Sequence, residues 1–292
     1  MFSDIVDTTI RDPEQASRYL GTDVIGMLPA VKNMNQANIL DAPRGSDGAA
    51  LATLDLAVNG SGKQAKGYYR SISGYGEAVR TLRNTILLSD FGARLRTLLI
   101  TSAGPSEGKS TTAIHLAMAN AEQGKRTLLV DADLRRPSIH RKFGLSPEIG
   151  LSDILIHKTD WRQTLLTVDE KANLFIIPAG PPSHRAADVI GPRMADLVDE
   201  FRTEFEYVIL DAPPLLGFAE TLQMATATDG VLIVTRAGET KRKAVSSVLA
   251  ALHRLRANVV GVVLNQVKRD TSDGYSYYYG YYRNKYYYSE HT

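Results

Sequence analysis

The chain contains no cysteine, which removes disulfides, thiolate metal sites and a cysteine nucleophile from its possible chemistry. That absence fits a cytosolic setting. A surplus of charge is missing too. Lys and Arg number 34 against 32 Asp and Glu, a formal net charge of +2, too small to argue for nucleic acid as a partner. No unbroken apolar run approaches the ~20 residues that span a bilayer. The N-terminus has neither the positively charged start nor the apolar core of a signal peptide. The chain is therefore expected to be soluble, or the soluble part of something anchored. Its 292 residues have room for one large α/β domain or one domain with appendages.

Residues 1–74 read as a linker-type lead-in, extended or irregular, with regular architecture beginning near Tyr75. Within it, residues 23–29 carry a short apolar run that suits a strand ended by proline. Residues 41–49 and 59–67 suit linkers. Residues 77–88 look helical. Short apolar runs then recur at 97–100, 127–130, 174–177, 207–210, 231–234 and 259–264. Several are continuously apolar, as strands covered on both faces are. Helix-length segments at 110–123, 188–205 and 241–256, with a shorter one at 152–156, lie between them. Strands separated by helices predict an α/β fold, its mostly parallel central sheet flanked by helices and joined by right-handed crossovers. The core is placed at residues 75–267 and a tail at 268–292.

Ala103-Gly104-Pro105-Ser106-Glu107-Gly108-Lys109-Ser110 has Walker A spacing with alanine at the first glycine. It follows a predicted strand, and a helical run opens at Thr111. Backbone N–H groups of such a loop, with the helix N-terminus, surround phosphate oxygens. Lys109 would neutralise the β and γ phosphates, and the Ser110 hydroxyl would ligate Mg²⁺. Two more predicted strands run into acids: Asp131-Ala-Asp133, and Asp211-Ala-Pro-Pro214. Ligands of open α/β sheets gather at the carboxyl ends of strands, which places these acids near the loop. Asp211 reads as the Walker B carboxylate. Of Asp131 and Asp133, one would help hold the metal and the other take a proton from a nucleophile. Alternatively, either acid caps a turn or pairs with Arg135 or Arg136. The chemistry is phosphoryl transfer, whose demands are positioning and charge neutralisation. A P-loop NTPase fold binding ATP and Mg²⁺ follows, with water or a protein hydroxyl as acceptor.

The last residues bear on that choice. Nine of the fourteen tyrosines fall at Tyr275, Tyr277, Tyr278, Tyr279, Tyr281, Tyr282, Tyr286, Tyr287 and Tyr288. Consecutive tyrosines with almost no aliphatic partners do not build a core, and chain ends are often loose. The cluster suits a phosphorylation substrate. It also suits a stacking surface for single-stranded nucleic acid beside Arg283 and Lys285, or an adhesive interaction tail. A phosphoryl-transfer site on the same molecule favours the first. Each phosphate would add about −1.5 to −2 charges, and such loading is expected to expel the tail from an active site and loosen subunit contacts.

Glu77, Arg80 and Arg83 recur at three-residue spacing on roughly one helical face. That face is either solvated or makes charge-assisted contacts with a neighbouring subunit. Lys241-Arg-Lys243 forms a second basic patch, open to phosphates, a partner or solvent. For a base pocket, Asn265 could read adenine through its amide and Arg236 could lie over the ring; both suit ordinary loop positions equally.

Taken together, residues 75–292 resemble the bacterial tyrosine kinases (BY-kinases) of exopolysaccharide and capsule synthesis. The matching features are Glu77-x-x-Arg80-x-x-Arg83, residues 102–110, Leu129-Val-Asp-Ala-Asp-Leu-Arg135, Val208-Ile-Leu-Asp-Ala-Pro-Pro214 and the tyrosine cluster. The resemblance implies a ring-forming, Mg-ATP-dependent autokinase whose tail enters the neighbour's active site. It places the interface motif on Glu77, Arg80 and Arg83, and the modified P-loop on Lys109 and Ser110. The second Walker motif falls on Asp131 and Asp133, with Asp133 as the base, and Walker B on Asp211. It also implies a membrane-embedded polysaccharide co-polymerase region, in the same or a partner chain, and a phosphotyrosine phosphatase as partners, with no nucleic acid. The setting implied is the cytoplasmic side of the bacterial inner membrane, with residues 24–29 like the linker after a second transmembrane helix. Two departures stand out. Ser106 occupies the family's usual glycine after the P-loop proline, and residues 184–190 lack the common Asn-Pro-x-Glu-Leu-Leu pattern. The main competitor is a partitioning or site-selection ATPase acting as a nucleotide-dependent oligomerisation switch. Those proteins carry an early P-loop lysine where this chain has Gly104, and lack a tyrosine tail. A nitrogenase-iron-protein-like reductase would need cysteine.

Overall fold

The computed structural model describes residues 8–31, 62–89, 94–169, 173–181, 190–191 and 193–268, with backbone alone for 62–73 and for Asp169. Eight strands form a single sheet in the order β1-β8-β7-β2-β6-β3-β5-β4. In chain order these are β1 (Val24–Pro29), β2 (Thr97–Ser102), β3 (Thr127–Asp131), β4 (Leu166–Asp169), β5 (Leu174–Ile177), β6 (Tyr207–Asp211), β7 (Gly230–Arg236) and β8 (Val259–Val267). Each pairing is parallel except β4 with β5. The mostly parallel α/β architecture expected from the sequence is the one observed.

Period-two alternation along the central strands divides the buried side chains between two cores. Leu99, Leu128, Val130, Val208, Leu210 and Ile233 face one side. Leu98, Ile100, Leu129, Ile209, Leu232 and Val234 face the other. Both sides are covered, so the strands read as continuous apolar runs. The second core is closed by α2 (Gly62–Leu88) through Val79, Leu82 and Ile86, by α3 (Lys109–Ala121), and by Ile139 of the short α4 (Ile139–Lys142). Over the first lie α1 (Pro13–Leu20), α5 (Leu151–His157), α6 (Trp161–Thr164), α7 (Arg193–Glu204), α8 (Ala219–Ala227) and α9 (Arg242–Arg254). No helix among the described residues is long and apolar enough to cross a membrane.

Among the described residues, regular structure begins at Pro13 rather than near Tyr75. Asp12 caps α1 by accepting from the Gln15 N–H at 2.7 Å, and Pro13 occupies the first turn, where its missing N–H costs nothing. The strand expected at residues 23–29 is present and joins the sheet edge against β8. The helix expected from Glu77 starts fifteen residues earlier, at Gly62, inside a stretch assigned to linker. Residues 41–49 lie outside the described residues. The helices expected at 110–123, 152–156 and 241–256 are α3, α5 and α9. Of the stretch expected to be helical at 188–205, Arg193–Glu204 is helix, and 188, 189 and 192 lie outside the described residues.

Candidate functional site

The carboxyl ends of β2, β3 and β6 lie side by side at the centre of the sheet, with Asp131 and Asp211 in register across β3 and β6. Chain between β2 and α3 forms the loop of residues 103–108 at that edge. Its final residue, Gly108, has φ +97°, and a Cβ there would stand 1.9 Å from Asn265 Nδ2. Only glycine fits both the dihedral and the space. Ser106 takes φ +62°, in the left-handed region that costs a non-glycine residue roughly 1–2 kcal/mol. A glycine at this position would avoid that strain.

The loop is braced from within. Glu107 is buried, and its Oε2 accepts from the Gly104 N–H at 3.0 Å while Oε1 accepts from the Thr240 hydroxyl at 2.5 Å. Burial pushes its carboxyl pKa up, against the pull of those hydrogen bonds. Asn265 Nδ2 donates to the Glu107 carbonyl at 2.9 Å, and its Oδ1 accepts from the Gln266 N–H at 2.9 Å. The amide considered for reading adenine is thus engaged with the loop's own backbone, at the wall of the cleft. Arg236, beside Asn265 in register, pairs with Glu239 at 2.9 Å and stays partly exposed.

Lys109 opens α3 and its ammonium donates to Asp133 Oδ2 at 2.9 Å and to Ser110 Oγ at 3.3 Å, with Asp211 Oδ1 at 3.9 Å. Burial alone would lower its pKa, but Asp211, Asp133 and Asp131 outweigh burial and raise it. Asp133 is oriented from its other oxygen, which accepts from the Arg136 N–H at 3.0 Å. Asp131 uses Oδ2 to accept from the Ser138 and Ile139 N–H groups, each at 3.0 Å. Its Oδ1 is buried without a hydrogen-bond partner, as are both carboxylate oxygens of Asp211. Burial raises the pKa of both acids; the Asp211 charge adds to the rise at Asp131, and Lys109 opposes it at Asp211.

Three carboxylates thus face one lysine, with three buried acid oxygens left over. Those atoms fit a divalent cation. No cluster of three or more His, Asp or Glu with metal-holding geometry occurs among the described residues. Mg²⁺ takes one or two carboxylates and completes its shell with water and substrate phosphates. Beside these groups opens a cleft of about 480 Å³ walled by Ala30, Val31, Tyr75, Ser106, Gly108, Lys109, Ser110, Thr111, Lys142, Asn265 and Gln266. Of the other loop residues, Ala103 and Glu107 are buried, Gly104 is half-buried and Pro105 is exposed.

The capping weighed as the alternative for the acids is present: Asp131 accepts from the Ser138 and Ile139 N–H groups and Asp133 from the Arg136 N–H. Arg135 does not pair with them. Its Nε donates to buried Glu220 at 2.6 Å, and its guanidinium lies over Phe218. Sequence reasoning missed Thr240, which bonds Glu107 of the loop, and Lys142, which lines the cleft. Nothing in the residues around them marks a site; only the fold brings them to it.

On α2, Glu77 and Arg80 pair with each other at 3.4 Å on the exposed face. Arg83 turns toward its own chain, donating to Asn120 of α3 at 3.2 Å. The nine tail tyrosines lie outside the described residues, as do residues 184–189 of the departing segment, whereas Ile190 is buried.

Comparison with known proteins places this geometry among relatives. A family model described as "NUBPL iron-transfer P-loop NTPase" matches residues 95–279. The chain is 34% identical to the tyrosine-protein kinase YwqD of Bacillus subtilis over 69% of this chain and 85% of that protein. It is 35% identical to the succinoglycan biosynthesis transport protein ExoP of Rhizobium meliloti over 73% of this chain, but spans only 28% of that protein. Among solved structures, the kinase domain of Escherichia coli tyrosine kinase ETK superposes with a TM-score of 0.73 at 25% identity, covering 89% of this chain and 96% of that one.

Proposed function

Because the chain belongs to the bacterial tyrosine-kinase (BY-kinase) family, we propose that it is an ATP-dependent protein-tyrosine autokinase. It transfers the γ-phosphoryl group of ATP to the tyrosines of its C-terminal tail, in a neighbouring subunit of a ring. The activity regulates exopolysaccharide polymerisation and export. The observation that carries this reading is the Lys109 ammonium held between Asp133 and Asp211 beside buried acid oxygens that lack partners.

Ser110 and Asp211, with the free oxygen of Asp131, would hold Mg²⁺. When bound, the metal would neutralise phosphate charge and orient the reacting phosphoryl group. The loop N–H groups and Lys109 bind the phosphates. Asp133 is the base: its Oδ1 is fixed by the Arg136 N–H, and its Oδ2 can exchange Lys109 for the proton of an incoming phenol. Burial keeps competing water away from these groups. Supporting a tail acceptor, β8 ends beside the cleft: Asn265 and Gln266 line it, and the tail starts at residue 268.

The name of ExoP, a succinoglycan biosynthesis transport protein, supports a role beside polysaccharide export; the partners that go with this reading are a membrane-embedded polysaccharide co-polymerase region, at the cytoplasmic face of the inner membrane, and an opposing phosphotyrosine phosphatase. Glu77 and Arg80, exposed on α2, are proposed to meet the neighbouring subunit.

The test is incubation with Mg-ATP followed by mapping of phosphotyrosine by mass spectrometry, with Lys109→Met as control. Phosphate on residues 275–288 in the parent protein and none in the variant is expected. ATP hydrolysis with no phosphotyrosine would replace this reading by a partitioning-type ATPase.

A further inference from the structure

We propose that Lys142 is a second phosphate-binding cation of the nucleotide cleft, supplied by α4 rather than by the P-loop. This rests on the reading of the cleft as a nucleoside triphosphate site.

The position of Lys142 is determined by the same acid that faces the metal-binding centre. Asp131 Oδ2 accepts from the Ser138 and Ile139 N–H groups, so the start of α4 is tied to the end of β3. Ile139 and Phe143 are fully buried and hold the inner side of the turn. Lys142 follows Ser138 by four residues and therefore shares its side of the turn. Both line the cleft with Lys109, Ser110 and Thr111.

What distinguishes Lys142 is that no carboxylate among the described residues pairs with it directly, although the charge of Asp211 reaches it. Lys109 is engaged by Asp133, with Asp211 close by. Lys142 is half-buried and has no ion pair or side-chain hydrogen bond among the described residues. Burial lowers its pKa, the charge of Asp211 raises it, and Arg141 lowers it further. Neighbouring His115 does not share the charge, because burial, with help from Lys142, pushes its pKa down to about 4. A half-buried ammonium without a partner is unfavourable unless an anion arrives. The cleft it lines is shaped around phosphate. A polyphosphate chain entering there would find one lysine already paired with carboxylates and one that is not.

The experiment measures Mg-ATP, Mg-ADP and adenosine affinity by calorimetric titration of the full chain, for the parent, Lys142→Met, Lys142→Gln, Lys142→Arg and Lys109→Met. Loss of one charge-assisted contact predicts about tenfold weaker ATP and ADP binding in the Met and Gln variants. Adenosine binding and the melting temperature without nucleotide should be unchanged, with recovery in Lys142→Arg. Unaltered ATP affinity in both neutral variants, with Lys109→Met impaired, would overturn the role of Lys142 and leave the cleft reading intact. Equal losses for ATP and adenosine would overturn it as well, as an effect on cleft shape. Full ATP affinity in Lys109→Met would bring down the P-loop reading together with this proposal.

Discussion

Thr240 shows how much a single hydroxyl can control. It lies in the turn between β7 and α9, far in sequence from the P-loop. Its Oγ1 accepts from the Arg236 N–H at 2.8 Å and donates to Glu107 at 2.5 Å. Glu107 in turn holds the Gly104 N–H. Replacing Thr240 by valine keeps the shape and removes both the donor to Glu107 and the acceptor of the Arg236 N–H. One buried carboxylate oxygen is then left unpaired, at a cost of about 1–3 kcal/mol. The expected outcome is a lower melting temperature and weaker ATP binding in Thr240→Val, with Thr240→Ser close to the parent. Melting and ATP titration curves of Thr240→Val that overlay the parent's would show that the loop keeps its shape without this contact.

At the scale of elements, the N-terminal segment belongs to the sheet. Thr8 and Ile10 bond to the stretch of residues 238–242 through the pairs Arg242 N–Thr8 O, Ile10 N–Thr240 O and Gly238 N–Ile10 O. β1 closes one edge by pairing with β8, and Gly26 lets it approach α2 so closely that a Cβ would lie 2.8 Å from Leu82 Cδ1. A chain beginning at residue 62 would lose the burial of Ile10, Ala16, Leu20, Met27 and Leu28. At about 1.5–3 kcal/mol for each large apolar side chain, that loss is comparable with the ~5–15 kcal/mol stability of a typical domain. It would also leave β8 as an unprotected edge. Aggregation or the absence of a cooperative melt is expected; a soluble product melting with the full chain would refute the integral role of this segment.

The same elements explain what could be read in advance. β2, β3, β6, β7 and the core of β8 are covered on both faces, so their apolar runs announced them. The acids at the ends of β3 and β6 could be assigned to the site because parallel strands bring their carboxyl ends to one edge. By contrast, β4 is four residues, Leu-Thr-Val-Asp, too short and too polar to stand out. The signals for α1, Asp12 followed by Pro13, are present but sit in a stretch whose sequence reads as a linker-type lead-in. Lys142, Thr240 and the engaged amide of Asn265 depend on which loops the sheet order juxtaposes, and no local pattern encodes that.

For the whole molecule, the arrangement of parts raises the question of whose tail meets whose cleft. The chain leaves β8 next to its own nucleotide site, yet Glu77 and Arg80 present a charged face on the outside of α2. Transfer between subunits can be separated from transfer within one by dividing the two functions between chains. A Lys109→Met chain keeps the nine tyrosines proposed as acceptors and loses the ammonium proposed to bind phosphate. A chain ending at Lys268 keeps the site and loses the acceptors. Neither alone should accumulate phosphotyrosine with Mg-ATP, whereas the mixture should, with all the label on the Lys109→Met chain. Glu77→Ala and Arg80→Ala introduced together into both chains should reduce that label if contact through α2 delivers the tail. An unlabelled mixture, with the parent protein labelled in parallel, would confine transfer to a single chain and remove the reason for a ring.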